Sequence, residues 1–329
     1  PFRITRLPSR PDLLLFPALL SVPQRARQLR PQVAFHAQWQ TVGASVLARA
    51  LTGWPRHIVC AAHARELLFN PAHTVPGLSR FYDSLRRLFL RQVDLFVPVS
   101  HYTAGLLHER GVSPNRTRVL PNGTDPDHFS PRDATSLRHR LGLSDRPVLL
   151  TIGRLVPRKG VDTVLRALPT IAEALPEVAY VVVGTGPDRP RLEALAAEQN
   201  VQEHVYFQGS VPYDDLPLYY SAADLFVMPA REDPPDVEGF GIVFLEANAC
   251  GTPVIGARTG GIPDAIVENE TGLLVPPADP VALSTAATEL LTHPDQAARL
   301  GMRGRERVVH EASWDRIAER LFNLLSTLQ

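Results

Sequence analysis

The sequence predicts an α/β protein made of two Rossmann-like domains, each a parallel, doubly wound sheet, facing one another across a cleft. Three observations carry the prediction. Short apolar runs alternate with segments of helical periodicity along the whole chain, the pattern of repeated strand–helix–strand units. The chain has 329 residues, 44% of them hydrophobic, enough for two compact cores. The formal charge of zero is also split: residues 1–140 hold 19 arginines against 8 acidic residues, a net of +11, and the remainder holds 15 basic and 26 acidic groups, a net of −11. The expected domains are therefore 1–140 and 141–329, with a last helix over about 313–329 packing back on the first.

Taken in order, the first half offers strands at Val33–His36, His57–Ala61, Leu95–Val99 and Arg118–Leu120, with an amphipathic segment at Ser79–Gln92. A break rich in turn residues follows over Pro131–Pro147. The second half offers strands at Val148–Ile152, Val178–Val183, Val205–Gln208, Leu225–Met228, Val254–Ala257 and Gly272–Val275. Between them lie helical patterns such as Val161–Ala174, Pro190–Glu198 and Val281–Leu291. Cys60 and Cys250 are far apart in apolar settings and read as reduced packing residues of a cytoplasmic protein. The longest apolar run, Leu13 to Val22, is interrupted by Pro17 and is too short to span a bilayer.

Ligands of open parallel sheets bind beyond the carboxyl ends of the strands, so the residues after each strand carry the functional information. The segment Glu238-Gly-Phe-Gly-Ile-Val-Phe-Leu-Glu246 is the richest of these. It sets two carboxylates on either side of a glycine turn, with the second about one turn into a helix. The backbone N–H groups of Phe240, Gly241 and Ile242 then lie at a helix N-terminus, which suits a phosphate, and the carboxylates suit hydroxyls. A polyhydroxylated diphosphate fits this pattern; a buried strand-to-helix corner with an ordinary first-turn glutamate fits it as well. The strand Val148–Ile152 runs into Gly153-Arg-Leu-Val-Pro-Arg-Lys-Gly160, where Arg154 and Lys159 can meet one anion. Lys159 is the one lysine of the chain, which points to a need for a compact ammonium rather than a guanidinium, or to a single lysine left in a solvated loop. Val183-Gly-Thr-Gly186 is a glycine turn that fails as a dinucleotide fingerprint, since the third glycine is missing. Thr259-Gly-Gly-Ile-Pro263 is a similar close-approach turn. In the first half His63 directly follows a strand and could bond a substrate hydroxyl or move a proton. Asp125-Pro-Asp127 lies beside an Asn-Gly turn without further acidic ligands, so it reads as turn chemistry, and no His/Cys cluster has metal spacing.

Together, Gly153-Arg-Leu-x-x-x-Lys-Gly160, Val183-Gly-x-Gly186, Glu238-Gly-Phe-Gly-x-x-x-x-Glu246 and Gly260-Gly-x-Pro263 resemble the retaining glycosyltransferases of family 4, which have the GT-B fold. In the first half Val59–His63, Val97-Pro-Val-Ser100 and Leu120-Pro-Asn-Gly123 are similar to that family's landmarks, so the likeness runs from about Pro31 to the C-terminus. The resemblance implies transfer of a hexose from a nucleotide-diphosphate sugar with retention at the anomeric carbon, without a metal or other cofactor. It implies that Arg154 and Lys159 neutralise the diphosphate, that Glu238 and His63 meet the donor sugar, and that Glu246 binds the ribose. It further implies that Gly153, Gly184, Phe240, Gly241 and Ile242 line the donor through their backbones, with the base near Val211. Gly153–Gly160 and Asp236–Glu246 are especially similar to phosphatidylinositol-mannoside mannosyltransferases, which makes GDP-mannose the leading donor, a UDP-sugar the other, and a lipid-linked or glycan acceptor the target. The basic first half suits contact with an anionic membrane from its cytoplasmic face, and an evenly solvated arginine surface fits the same charge; no nucleic-acid partner is expected. One departure stands out: Pro1–Arg30 lacks the strand and glycine-rich loop with which the family opens, so the first domain is expected to miss its first βα unit, either because the chain is truncated or because this protein lacks that unit. That leaves open a nucleotide-sugar-binding module inactive in transfer, whereas an NAD-dependent oxidoreductase lacks its fingerprint here.

Overall fold

The computed structural model describes residues 15–71, 74–233 and 235–328, arranged as two compact units. Of Pro1–Arg30, where the family's opening strand and glycine-rich loop were not expected, residues 1–14 lie outside the described residues and Leu15–Leu29 forms a helix.

The first unit takes the described residues up to Leu120 together with those from Glu319. Its parallel sheet has the order β1 (Val33–His36), β2 (His57–Ala62), β3 (Leu95–Pro98), with Val33 opposite His57 and Val59 opposite Leu95. The expected fourth strand, Arg118–Leu120, does run beside β3, since Arg118 N–H donates to Phe96 O and Leu120 N–H to Pro98 O. It is not a full strand because the return bond of a parallel ladder would have to come from Pro98, which has no N–H. Val59, Leu95 and Val97 form an apolar surface covered by Leu120, Leu321, Leu324, Leu325 and Leu328. The last turns of the helix Trp314–Ser326 thus pack on the first sheet, although the helix begins in the second unit.

The division falls between Leu120 and Pro121, not near residue 140. The intervening segment is fastened to the second unit by its own contacts. Arg132 N–H donates to Ser221 Oγ at 3.0 Å, Arg138 Nη1 donates to Ala222 O at 2.7 Å, and buried Phe129 meets the Tyr220 ring edge-on at 5.9 Å.

The second unit carries six parallel strands in the order β6-β5-β4-β7-β8-β9. These are β4 (Val148–Ile152), β5 (Ala179–Val183), β6 (Val205–Gly209), β7 (Leu225–Met228), β8 (Val254–Ala257) and β9 (Gly272–Val275). Every residue of β4, β5, β7 and β8 is buried, as expected for strands covered by helices on both faces. The helices start where the sequence supplies the signal. Pro280 opens Pro280–Thr292 behind Asp279, whose carboxylate accepts from the N–H groups of Val281 and Ala282 at 3.0 Å. The strand order reverses between β4 and β7. That switch point is where open α/β sheets hold their ligands.

Candidate active site at the sheet switch point

The loops after β4 and β7 lie at this switch point, and glycines fix both. Gly160 has φ 73°, and a Cβ there would fall 2.0 Å from Pro229 O, so the end of the first loop is seated on the backbone that follows β7. Immediately before it, Pro157–Lys159 forms one 3₁₀ turn that turns Lys159 inward. The Lys159 side chain lies over Gly153, where a Cβ would come within 3.5 Å of its Cε, and its Nζ sits 3.4 Å from Met228 Sδ. Lys159 is only 8% exposed, so its charge needs a partner.

That partner is Glu238. Its Oε2 accepts from Lys159 Nζ at 2.6 Å and from Arg158 Nη1 at 2.6 Å. Burial pushes the Glu238 carboxyl up, but the charges of Lys159 and Arg158 and their hydrogen bonds outweigh it and hold it below the usual glutamate value. The Glu238 main chain is held too: its carbonyl accepts from Gly261 N–H at 2.8 Å, and a Cβ on Gly260 would fall 2.4 Å from that oxygen. The Thr259–Pro263 turn is thereby explained as the support that lets β8's loop lie against Glu238. Gly241 (φ 94°) then opens the helix Ile242–Ala249. The N–H groups of Phe240, Gly241 and Ile242 make no hydrogen bond among the described residues and remain open donors at this helix start. The Phe240 side chain is itself buried in the core.

Glu246 lies one turn along that helix. Its Oε2 accepts from the Tyr220 hydroxyl at 2.7 Å, and burial raises its pKa above the ordinary value despite that bond. From Tyr220 a chain of rings leads to the loop after β6. Phe129 meets Tyr213 edge-on at 5.6 Å, and Tyr213 stacks flat on His128 at 4.5 Å, two residues beyond half-buried Val211. An open depression of about 640 Å³ adjoins Gly260 and is lined by Arg231, Glu232, Arg258, Thr259 and Pro263.

The structure therefore brings Gly153, Lys159, Glu238, Phe240, Gly241 and Ile242 to one place, with Glu246 on the same helix. Arg154 differs. It is exposed and its side chain has no hydrogen-bond partner among the described residues, so it is a free cation at the mouth of the loop. The residue that reaches Glu238 is Arg158, which sequence reasoning passed over because spacing alone does not tell which arginine of Arg-x-x-x-Arg-Lys turns inward. Tyr220 was also passed over, its ring being an ordinary core feature at the level of pattern. Gly184 has a structural duty: at φ 132°, its Cβ would fall 1.9 Å from Gly153 O, so the loops after β4 and β5 touch backbone to backbone. His63 belongs to the first unit, with an exposed ring at the end of β2. Its N–H donates to Glu66 Oε1 at 2.7 Å, and the next residue, Ala64, has φ 77° in a tight turn closed by Arg65 N–H to His63 O. Asp125 accepts from the N–H groups of Asp127 and His128, a turn bond as expected, and no group of three or more His, Cys, Asp or Glu among the described residues is placed to hold a metal.

The sequence signature described as "Glycosyl transferases group 1" matches residues 133–307, and that described as "Glycosyltransferase Family 4" matches residues 1–128. The chain belongs to the group 1 glycosyltransferases. The first match contains every donor-side candidate named above, and the second contains His63. Among relatives of this family, a GDP-mannose-dependent alpha-(1-6)-phosphatidylinositol monomannoside mannosyltransferase from Mycolicibacterium smegmatis is 38% identical over 275 residues, 82% of this chain and 70% of the relative. A GDP-mannose-dependent monoacylated alpha-(1-6)-phosphatidylinositol monomannoside mannosyltransferase from Corynebacterium glutamicum is 37% identical over 276 residues, again 82% and 70%. A Mycobacterium tuberculosis relative with the first of these names is matched over 61% of its length. The fold is GT-B. Anabaena Alr3699/HepE, in complex with UDP, superposes with a TM-score of 0.80 at 21% identity, covering 97% of this chain and 84% of its own. Sucrose-phosphate synthase from Thermosynechococcus elongatus superposes with a TM-score of 0.77 at 29% identity, covering 98% and 80%. Among the described residues, no helix of this glycosyltransferase is long and apolar enough to cross a membrane.

Proposed function

We propose that this glycosyltransferase moves a mannose from GDP-mannose to a lipid-linked acceptor, with retention at the anomeric carbon and without a metal. The observation that carries the donor half is the buried Lys159–Glu238–Arg158 group at the switch point, beside the open amides of Phe240 to Ile242. Lys159 and the free Arg154 supply the positive charge a diphosphate leaving group needs, and the helix start supplies oriented dipoles. Glu238 offers a carboxylate to sugar hydroxyls, and Glu246 offers one to the ribose. In the step proposed, the bond from the anomeric carbon to the diphosphate oxygen breaks and the acceptor oxygen bonds to the same face of that carbon. The acceptor proton passes to the departing phosphate oxygen. Lys159 and Arg154 stabilise the charge left on the diphosphate. His63 enters this reading through the family resemblance.

GDP-mannose is favoured over a UDP-sugar because both relatives quoted above are named as GDP-mannose-dependent, and a lipid-linked acceptor because both are named for phosphatidylinositol mannosides. Such an acceptor would place the protein at the inner face of a membrane. The test is transfer from GDP-mannose to a phosphatidylinositol mannoside in a chelating buffer, with the anomeric configuration of the product read by NMR. An α-linked product formed at an undiminished rate is expected. A β-linked product, or a rate restored only by added Mg²⁺ or Mn²⁺, sinks the proposal.

A further inference from the structure

Arg158 and Lys159 reach Glu238 from a single 3₁₀ turn, so the position of both cations depends on what holds that turn. The segment that follows β7 holds it. Arg231 N–H donates to Arg158 O at 2.9 Å, and Pro229 O lies against Gly160. The Arg231 side chain then reaches past the turn to Asp162, the second residue of the helix Val161–Ala174. Its Nη1 donates to Oδ1 at 2.9 Å and its Nη2 to Oδ2 at 3.0 Å, a planar two-point fork. One residue thereby grips both ends of the span from Arg158 to Asp162, with Lys159 between them. Asp162 is 8% exposed, and a second guanidinium flanks it. Arg191 Nη2 lies 3.5 Å from Asp162 Oδ2, while Arg191 donates to both oxygens of Asp188 at 2.6 and 2.7 Å. Asp188 N–H in turn donates at 3.2 Å to Leu155 O, in the loop after β4. Among the described residues Arg231 bonds neither Lys159 nor Glu238. Desolvation offsets most of the attraction in a pair held this far from water, so the fork is better explained by the geometry it imposes than by added stability.

We propose that Arg231, acting through Asp162, is a positioning residue: it sets the Arg158–Lys159 turn so that the Lys159 ammonium stands ready for a diphosphate before the donor arrives. Arg231 thus serves the proposed donor site, on which this role rests, without meeting the donor itself. A lysine ammonium sits on a flexible four-carbon stem and has no fixed direction of its own. Its Nζ is placed by the backbone it leaves and by the walls it lies on, here Gly153 and Met228. A turn free to tilt would carry Nζ away from Glu238 and from an anion beside it, and a misplacement of about 1 Å is enough to weaken such contacts strongly. The two backbone contacts survive a change of the Arg231 side chain, so the effect expected is smaller than that of losing Lys159.

The experiment is a double-mutant cycle read by calorimetric titration of GDP into the whole chain as wild type, Arg231→Met, Lys159→Met and the double variant. Arg231→Met should weaken GDP about tenfold. In the Lys159→Met background the same change should weaken it less than about twofold, because a residue that acts only by placing the ammonium has nothing left to place. Where Arg231→Met leaves too little folded protein, Arg231→Met/Asp162→Asn removes both charges together and should show the same coupling to Lys159. Unchanged GDP affinity in the folded variant overturns the proposal, since the pair would then serve the fold alone. So does a tenfold loss that persists beside Lys159→Met, since Arg231 would then meet the nucleotide directly or act through the fold at large. Wild-type protein that binds no GDP removes the donor-site reading itself, whereas either of the two results above, with wild-type binding intact, removes only the positioning role.

Discussion

Replacing Lys159 with methionine keeps the length of the side chain and deletes its charge. In the structure the ammonium is nearly buried, with side-chain exposures of 10% for Lys159 and 14% for Glu238. The bond removed is a charge-assisted one, worth about 1.5–3 kcal/mol, and breaking a buried pair outright costs about 3–5 kcal/mol. Arg158 still holds the same Glu238 oxygen, so the lower range applies and a stability loss of about 2 kcal/mol is expected. The pH dependence has a defined sign. Glu238 now titrates below its unfolded value, so its contribution is full above that value and is lost as pH falls through the folded one. In the variant burial opposes only Arg158, and the folded pKa rises. The melting-temperature gap between wild type and Lys159→Met should therefore be widest near neutral pH and close as Glu238 becomes protonated in acid. The same variant should bind GDP roughly a hundred-fold more weakly, since about 2.7 kcal/mol of diphosphate contact is lost. Differential scanning calorimetry across pH and titration with GDP read the two effects. A gap that does not depend on pH, or unchanged GDP affinity, refutes the assignment of Lys159 and Glu238.

Four further outcomes are expected. Arg158→Gln should leave Lys159 as the sole partner of Glu238, so diphosphate binding that draws Lys159 away should be accompanied by proton uptake, seen as a buffer-dependent heat in calorimetry and absent in the wild type. Glu246→Gln should weaken GDP several-fold and bind 2′,3′-dideoxy-GDP as the wild type does, if the proposed contact with the ribose hydroxyls is the one lost. Gly184→Ala should lower the melting temperature steeply or prevent folding, since its Cβ would lie 1.9 Å from Gly153 O. His36, bonded to Thr41 and Ser45, is held by burial at about 4, below its ordinary value. Its stabilisation is complete above the unfolded pKa and falls as pH drops from there toward 4, by an amount on the order of 3 kcal/mol at most; calorimetric melts at pH 7 and 4.5 with a His36→Asn control check it.

The alternation of apolar strands and helical patterns was sufficient to predict the second sheet strand by strand, because parallel strands buried on both faces leave uninterrupted runs such as Val148–Ile152 and Val254–Ala257. The first sheet was less legible. Arg118–Leu120 has strand composition, but its ladder fails at Pro98, a partner that only the fold reveals. The domain boundary was placed in the turn-rich stretch Pro131–Pro147, because spacing does not show that Arg132 and Arg138 bind that stretch to Ser221 and Ala222 of the second unit. At the site, the glycines and the two glutamates were readable because they mark strand ends and a helix start. The cations were half readable. Lys159 stood out as the one lysine, whereas the choice between Arg154 and Arg158 depends on the single 3₁₀ turn that directs Arg158 and Lys159 to one carboxylate oxygen. Tyr220 gave no signal, since a hydroxyl aimed at Glu246 and a core ring share one residue type.

In the function proposed, the switch point between β4 and β7 receives a nucleotide-diphosphate sugar. Calorimetric titration of GDP-mannose and UDP-glucose into the wild-type chain, in chelating buffer, tests it most directly. Saturable one-site binding of GDP-mannose is expected, tighter than that of UDP-glucose and abolished by Lys159→Met in the accessible concentration range. Absence of binding by both nucleotide sugars, or binding that Lys159→Met leaves untouched, would contradict it.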